Sequence, residues 1–241
     1  MRQLTTIWTA EAEPARRLVD QNPLAHASRA RAKDVIVRTF VPRFVDGSPP
    51  GLWKSLAILE AEGADPNVIR AVHYLAASRS EPLIRDFVLD VLWPKLAASS
   101  SEVPLSEVIR FIRHQPLEEF GGRRWSESVE TKVARGLLAA LRDFGILDGK
   151  STKRLSGYGM PLAAFGFIAF ILKMKSQSGH QLLHDSEWRL FFLSPHAVET
   201  YFIEAQQAKF LTYDAAGKVI RVGFPADTLE EYAHVVVQRT S

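Results

Sequence analysis

Two short patterns in the sequence could carry chemistry, and the first would bind phosphate. Gly149-Lys150-Ser151-Thr152 matches the end of a phosphate-binding loop, in which backbone N–H groups between a strand and a helix surround the phosphates. The upstream glycine of that loop would be Gly145, which stands one residue too close, and a helix rather than a buried strand is predicted before it. The pattern therefore favours a polar turn over a nucleotide site.

The second pattern is a pair of histidines that could hold a metal ion. His180 and His184 are four residues apart, so they can share one face of a helix. Asp185 and Glu187 follow closely in the sequence. A hydrolytic zinc site usually has Glu after the first histidine and a third ligand, whereas position 181 is Gln. Surface or half-buried histidines are the simpler interpretation, and we expect no metal site.

The sequence contains few other residues or motifs that could support catalysis. It contains no cysteine, which excludes disulfides, thiolate zinc sites, iron–sulfur clusters and cysteine nucleophiles. It also lacks the Gly-x-Ser-x-Gly nucleophile elbow and the Gly-x-Gly-x-x-Gly dinucleotide loop. We therefore expect a protein that is not an enzyme and that needs no cofactor and no small-molecule substrate.

The placement of Arg and Lys is more informative, and a first group lies on a helix predicted from Ser28 to about Val41. Asp34 is the only acidic residue between positions 29 and 43. At helical spacing the cations fall on stripes beside the apolar face. Such a run is usually solvated surface, and contact with nucleic acid is the alternative. The cations selected as candidate DNA contacts here are Arg29, Arg31, Lys33 and Arg38.

A second group of cations surrounds a long helix predicted from a Ser126 cap to about Phe144 and closed by Gly145. At 100° per residue the helix separates into two sides. The predicted core side consists of Val129, Val133, Leu137, Leu141 and Phe144. The predicted exposed side consists of Ser128, Lys132, Arg135 and Arg142.

A short helix, a break at Gly121-Gly122, this long helix and then a small hairpin make up the layout of a winged helix. The hairpin is predicted from Ile146-Leu147 and Arg154-Leu155. An ordinary helix–hairpin packing unit is the alternative, because residues 101–150 carry eight basic and eight acidic residues. The candidate DNA contacts in this region are Arg123, Arg124, Lys132, Arg135, Lys150, Lys153 and Arg154.

The predicted fold class is mainly α, a compact multi-helix protein with a winged-helix-like central unit and a small C-terminal β-hairpin. That last hairpin pairs Phe210–Tyr213 with Val219–Val222. Three segments are predicted: an N-terminal helical domain (1–100), the winged-helix-like unit (101–158) and a C-terminal helical segment with the hairpin (159–241). The last segment could pack with the rest as one globule. Helices are also predicted to begin at the Asp65-Pro66 cap, at Ser80 and at Glu187, and residues 98–101 are the best candidate boundary.

The composition is that of an ordinary globular protein: 46% hydrophobic and 24% charged residues, with 30 Lys and Arg against 27 Asp and Glu. The apolar run 162–172 is shorter than the roughly 20 residues that span a bilayer, so it predicts a buried helix and no membrane partner. The first ten residues lack the features of a signal peptide. A cytoplasmic location is expected.

Three stretches of the chain resemble the BrxA family of BREX (bacteriophage exclusion) phage-defence systems. They are Ser28–Asp34, Ala76–Val88 and Trp125–Ser128 running into Val133–Leu147. The likeness covers roughly residues 25–160. It implies a small, mostly helical cytoplasmic protein that binds double-stranded DNA without catalysis, within a system that methylates host DNA and blocks phage replication. No family contact residues are carried over, so the candidate contacts rest on the charge pattern.

The leading hypothesis is a non-enzymatic accessory protein that binds double-stranded DNA mainly through its phosphate backbone. Other BREX proteins are further candidate partners. The alternative is a protein–protein adaptor within the defence complex with little direct DNA contact. Its docking surface would be an apolar face or free edge of the C-terminal hairpin, formed by Phe210, Tyr213, Val219 and Ile220. Only two weak patterns favour a metal- or nucleotide-dependent enzyme: the histidine pair and the Gly149-Lys150-Ser151-Thr152 segment.

Overall fold

The computed structural model describes residues 1–8, 14–97, 101–116, 122–217 and 219–240. The chain is mainly α, as predicted, and it forms two compact units. The larger unit comprises residues 1–80, 161–185 and 195–241, and the smaller unit comprises residues 81–160 and 186–194. The division of the chain into three segments stays a prediction. In the structure the chain passes from the larger unit to the smaller one after residue 80 and returns to the larger one after residue 160.

The larger unit contains nine α-helices, a π-helical segment and a hairpin within the described residues. The helices are α1 (Arg2–Ile7), α2 (Pro14–Gln21), α3 (Arg29–Val35), α4 (Leu52–Ala61), α5 (Pro66–Ser80), α10 (Leu162–Lys173), α11 (Gly179–Leu183), α12 (Pro195–Gln207) and α13 (Leu229–Thr240). The π-helical segment is Ile36–Val45, and the hairpin strands are β4 (Thr212–Ala216) and β5 (Val219–Gly223).

The smaller unit combines four α-helices with a three-stranded sheet, again among the described residues. Its helices are α6 (Pro82–Phe87), α7 (Trp93–Lys95), α8 (Leu105–His114) and α9 (Glu127–Asp143). A π-helical segment, Val88–Leu92, joins α6 to α7, and a 3₁₀ helix, Ser186–Phe191, belongs to the same unit. Its strands are β1 (Glu102–Val103), β2 (Leu147–Asp148) and β3 (Lys153–Leu155).

Helix α10 lies in the core of the larger unit, because its sequence is apolar on every side. All residues from Ala163 to Leu172 are buried, and the helix packs against α5, α12 and α13. The prediction of a buried helix in this segment is therefore confirmed. Within the described part of the chain, no helix combines the length and the apolarity needed to cross a membrane.

Helix α10 approaches α13 closely at a glycine. A Cβ on Gly166 would lie 2.8 Å from Tyr232 Oη and 3.3 Å from Phe210 Cβ. The Tyr232 hydroxyl donates a buried hydrogen bond of 2.7 Å to the Phe210 carbonyl. Its ring stacks on Phe170 at 4.8 Å and meets Phe224 edge-on at 5.4 Å. The ring is therefore held on several sides.

Several predicted helix boundaries are confirmed by the structure. Ser28 caps α3, because its side chain accepts a hydrogen bond from the Arg31 backbone N–H. That helix continues as the π-helical segment to Val45, beyond the predicted end near Val41. Asp65 caps α5 through the Asn67 N–H, directly before Pro66. The predicted C-terminal hairpin also forms, but its first strand is Thr212–Ala216 instead of Phe210–Tyr213, so the turn is shorter than predicted.

Other boundaries differ from the sequence prediction. Ser80 ends α5 instead of starting the next helix, and its hydroxyl donates to the Ala77 carbonyl. The new helix begins at Pro82. The backbone N–H of the first helical residue has no partner within the helix, so proline, which lacks that N–H, is favoured at this position. The helix predicted from Glu187 is a 3₁₀ helix, and α11 and β1 were not predicted. Most of the predicted boundary at 98–101 lies outside the described residues.

Substitution of Gly166 by Ala should destabilise the larger unit. The added methyl group would crowd the Tyr232 hydroxyl and the Phe210 side chain, and this overpacking should outweigh the gain in helix propensity. We expect the free energy of unfolding to fall by about 1–2 kcal/mol, measured by urea denaturation. Gly159→Ala is the matched control, because a Cβ there meets no atom within 4 Å. Equal stability of the two variants would contradict this account of the contact.

His73 predicts a dependence of stability on pH. The ring is buried on α5, meets Phe44 edge-on at 4.9 Å, and its Nε2 has no hydrogen-bond partner among the described residues. Burial, helped by nearby positive charges that include Arg2 and Arg43, lowers the pKa of His73 to about 3. The unfolded chain therefore binds more protons than the folded one from about pH 6.5 downwards.

We expect the free energy of unfolding to be unaffected by His73 above about pH 6.5 and to decrease as the pH falls towards 3. Between pH 6.5 and pH 4 the loss from this residue is roughly 3 kcal/mol. Denaturation series at several pH values should show a smaller loss for His73→Leu than for the wild type. The exposed His196, replaced by Leu, should retain the wild-type loss. Parallel curves for His73→Leu and the wild type would rule out this role.

Candidate nucleic-acid interface

The sheet of the smaller unit positions the hairpin that follows α9. Its strand order is β1-β3-β2, with both pairs antiparallel. Glu102 on β1 pairs with Arg154 on β3, and Leu147 on β2 pairs with Leu155. Helix α9 packs against α8 and contacts β2. The predicted hairpin is therefore confirmed, and β1 adds a third strand before the two helices.

Helix α9 buries a face that is rotated by about 60° around the helix axis from the predicted one. Ala134, Leu137, Leu138 and Leu141 are buried, and Glu130 is 6% exposed. Val129 was predicted in the core, but it is 39% exposed, so that prediction is wrong. The buried face differs from the predicted one because it includes the carboxylate of Glu130, which is paired.

The partner of that carboxylate comes from α8. Arg113 Nε donates to Glu130 Oε2 at 2.7 Å. A buried charge is tolerated only where it is paired and hydrogen-bonded, so this contact allows Glu130 to occupy the helix interface. Ser126 stands at the N-cap position as predicted, but its side chain makes no capping hydrogen bond and lies 3.1 Å from Ser128 Oγ.

The four residues predicted on the exposed side of α9 do face solvent. Ser128, Lys132, Arg135 and Arg142 are all exposed. Arg142 forms an ion pair of 2.8 Å with Asp143. Lys132 and Arg135 have no ion pair or side-chain hydrogen bond within the described part of the chain. A helix of 17 residues is about 25 Å long, so these two neighbouring cations lie near its middle.

The two arginines before α9 differ in their surroundings. Arg123 and Arg124 are both exposed. The Arg124 guanidinium donates to the Arg113 carbonyl at the end of α8, whereas Arg123 makes no such contact with the described residues. Of the predicted break at Gly121-Gly122, position 121 lies outside the described residues, and Gly122 has a φ of 77°.

The Gly149-Lys150-Ser151-Thr152 segment forms the turn between β2 and β3. Gly149 has a φ of 90°, and a Cβ there would lie 2.1 Å from the Thr152 carbonyl oxygen. The glycine is therefore needed for the turn itself. This position agrees with the polar turn that was favoured over a phosphate loop, since β2 is a two-residue strand at the end of a helix.

The three cations of this hairpin have different surroundings. Lys150 is exposed on the turn. Arg154 is exposed and forms an ion pair of 2.8 Å with Glu102 of β1. Lys153 is only 8% exposed, and its Nζ donates to the carbonyls of Gly149 at 2.5 Å and Lys150 at 2.6 Å. Because this ammonium group fastens the turn, we leave Lys153 out of the candidate interface.

A further candidate residue of this interface is Gly136, in the middle of α9, which the charge pattern could not identify. It is exposed, and a Cβ built on it meets no atom within 4 Å. A glycine inside a helix destabilises it by about 0.5–1 kcal/mol relative to alanine. Its signal in the sequence is a lone glycine within a helical pattern, which often has a packing or functional reason.

The N-terminal group of cations lies on α3 and the following π-helical segment in the larger unit. Arg29 pairs with Asp20 at 2.6 Å, and Arg38 pairs with Asp34 at 3.0 Å. Arg31 and Lys33 are exposed and make no ion pair with the residues that the structure describes. This second patch therefore has two cations engaged in surface ion pairs and two available to a partner.

The structure gives less support to the two alternative sites, which are the histidine pair and the apolar face of the C-terminal hairpin. His180 and His184 are exposed, with ring centroids 4.4 Å apart, while Asp185 pairs with Lys175 at 3.0 Å. Among the described residues, no group of three or more His, Asp and Glu could hold a metal ion. Of the apolar residues proposed for docking, Phe210 and Tyr213 are buried, Ile220 is half-buried and Val219 is 57% exposed.

Lys153→Met should destabilise the smaller unit. It keeps the aliphatic stem but removes the donor to two carbonyls of the turn, so we expect a loss of about 1–3 kcal/mol in the free energy of unfolding. Lys150→Met is the control, because its side chain is exposed and should change stability by less than about 0.5 kcal/mol. Urea denaturation followed by tryptophan fluorescence measures both, and equal effects would argue against the fastening role.

Comparison with known proteins gives one match. The model of the BrxA family matches residues 1–171, which include both groups of cations. No curated protein and no solved structure matches the chain. Since the family match covers well over half of the 241 residues, the chain belongs to the BrxA family, whose members are components of BREX phage-defence systems.

Proposed function

We propose that this protein binds double-stranded DNA through its smaller unit, without enzymatic activity, as its contribution to BREX defence in the cytoplasm. The observation that carries the proposal is the placement of Lys132 and Arg135. Both are exposed at the middle of α9, on the side of the helix away from its buried leucines. Exposed cations that lack acidic partners are the groups that neutralise phosphates most readily.

The order of elements supports a winged-helix mode of binding. Helix α6 to α7, strand β1, helices α8 and α9, and strands β2 and β3 follow in the order of a winged helix, with β3 between β1 and β2. In that family of folds the second helix of the pair enters the major groove, and the hairpin reaches the neighbouring phosphates. By this analogy α9 is the groove helix and the turn at Lys150 is the wing.

The cations of the interface are expected to contribute unequally. Lys132, Arg135, Arg123 and Lys150 are exposed, and each can reach a phosphate without giving up an acidic partner in the described structure. Arg142 and Arg154 must exchange Asp143 and Glu102 for the DNA, which reduces their net contribution. Contacts of this kind position the protein on the duplex, so we propose weak sequence preference.

The N-terminal patch on α3 is proposed as a second DNA contact. Arg31 and Lys33 are its most available cations, and Arg29 and Arg38 contribute less because they pair with Asp20 and Asp34. Other BREX proteins are proposed as further partners on the strength of the family, although the C-terminal hairpin buries most of the apolar residues that were expected to receive them.

The double variant Lys132→Ala/Arg135→Ala should bind duplex DNA at least tenfold more weakly than the wild type. Two lost phosphate contacts should also reduce the slope of log affinity against log salt concentration by about 1.8, because each contributes about 0.9. Fluorescence anisotropy of a labelled duplex at several salt concentrations measures both quantities. Circular dichroism should remain unchanged, since both side chains are exposed.

The matched control removes one lysine and one arginine elsewhere. Lys54→Ala/Arg70→Ala has the same change of net charge, and both residues are exposed on α4 and α5. This variant should retain nearly the wild-type affinity and slope. If the two double variants lose affinity equally, binding depends on net charge alone and α9 is not the interface. If the wild type does not bind duplex DNA at low salt, the proposal as a whole is wrong.

A further inference from the structure

The exposed face of α9 contains a residue whose identity nothing in the described protein requires. Gly136 has helical backbone angles, so it is not needed for a left-handed conformation, and a Cβ would meet no atom within 4 Å. Most other described positions occupied by glycine have a local reason for it. At Gly149 it allows a positive φ, and at Gly166 and Gly179 a Cβ would come within 3 Å of neighbouring atoms. Gly157 and Gly159 have no such reason, but they lie outside helices, where a glycine does not weaken a helix. Gly136 has neither reason.

The neighbours of Gly136 are the two cations of the proposed interface. At 100° per residue Gly136 lies 40° around the helix from Lys132, and Arg135 directly precedes it in the chain. Val129, two turns earlier on the same side, is among the few exposed large apolar residues of the described structure. The result is a shallow strip of exposed helix surface, low in side-chain bulk and bordered by positive charge.

We propose that duplex DNA contacts α9 at Gly136 so closely that a side chain there is excluded. In this arrangement a sugar–phosphate strand lies against the helix backbone at Gly136, while Lys132 and Arg135, which both lie to one side of Gly136, bind phosphates of the adjacent backbone. Glycine is the residue that permits such an approach between a backbone and a ligand. This inference rests on the proposed DNA binding and adds to it the depth and position of the contact along the helix.

The position distinguishes two ways of placing α9 on DNA. Gly136 lies eight residues beyond Ser128, which is about 12 Å along the helix axis. If only the N-terminal turn of α9 entered the groove, Gly136 would stand clear of the duplex and its substitution would have no effect on binding. Contact at Gly136 requires that the middle of the helix lies on the DNA.

The test is a series of larger side chains at this position, Gly136→Ala and Gly136→Leu. Both variants should be more stable than the wild type, with the melting temperature raised by a few degrees, because either residue favours the helix and meets open space. Affinity for a labelled duplex should fall at least fivefold for alanine and further for leucine. The salt slope should stay at the wild-type value, since no phosphate contact of a cation has been removed.

Thr200→Ala on α12 is the control for helix stabilisation alone, because Thr200 is exposed in the larger unit. It should not change affinity. If both Gly136 variants bind as tightly as the wild type while Lys132→Ala/Arg135→Ala binds weakly, the close approach is overturned and the proposed interface stands. If Lys132→Ala/Arg135→Ala also binds like the wild type, the interface on α9 is overturned as well.

Discussion

The ion pair between Arg113 and Glu130 determines which side of α9 faces solvent. Without it, a carboxylate at the α8–α9 interface would be too costly to bury, and Val129 would be expected to take its place. The pair places Lys132 opposite the buried face of the helix and leaves Arg135 exposed beside it. The electrostatic surface of the helix therefore depends on a carboxylate that is itself buried, although its partner Arg113 remains half-exposed.

Fewer of the Arg and Lys side chains are available to a binding partner than the sequence suggests. Several predicted contacts are engaged with acids, and Lys153 is buried where it stabilises a turn. An exposed ion pair is worth little to stability, so its acid can be exchanged for a phosphate at small cost. A buried ammonium group bound to two carbonyls cannot be exchanged in this way. The same residue type thus stabilises the fold at position 153 and is proposed to bind DNA at position 150.

The elements that local chemistry determines could be predicted from the sequence. The cap at Ser28, the buried helix α10 and both hairpins follow from short patterns of polarity and turn residues. The burial of Glu130 could not, because its partner stands 17 residues away on another helix. The strand β1 was missed for a similar reason, since two residues show no periodicity until they pair with β3.

The smaller unit is not continuous in the chain. After residues 81–160 it takes a further segment, 186–194, which returns from the C-terminal half and contributes the buried Trp188 and Phe191. Arg189 of this segment lies over the Trp93 ring at 5.9 Å, and Phe191 lies 6.3 Å from Tyr158. During synthesis the surface proposed to bind DNA therefore gains its complete core only after the ribosome has passed residue 194. A nascent chain that stops before that point would carry the cations without the support that fixes them.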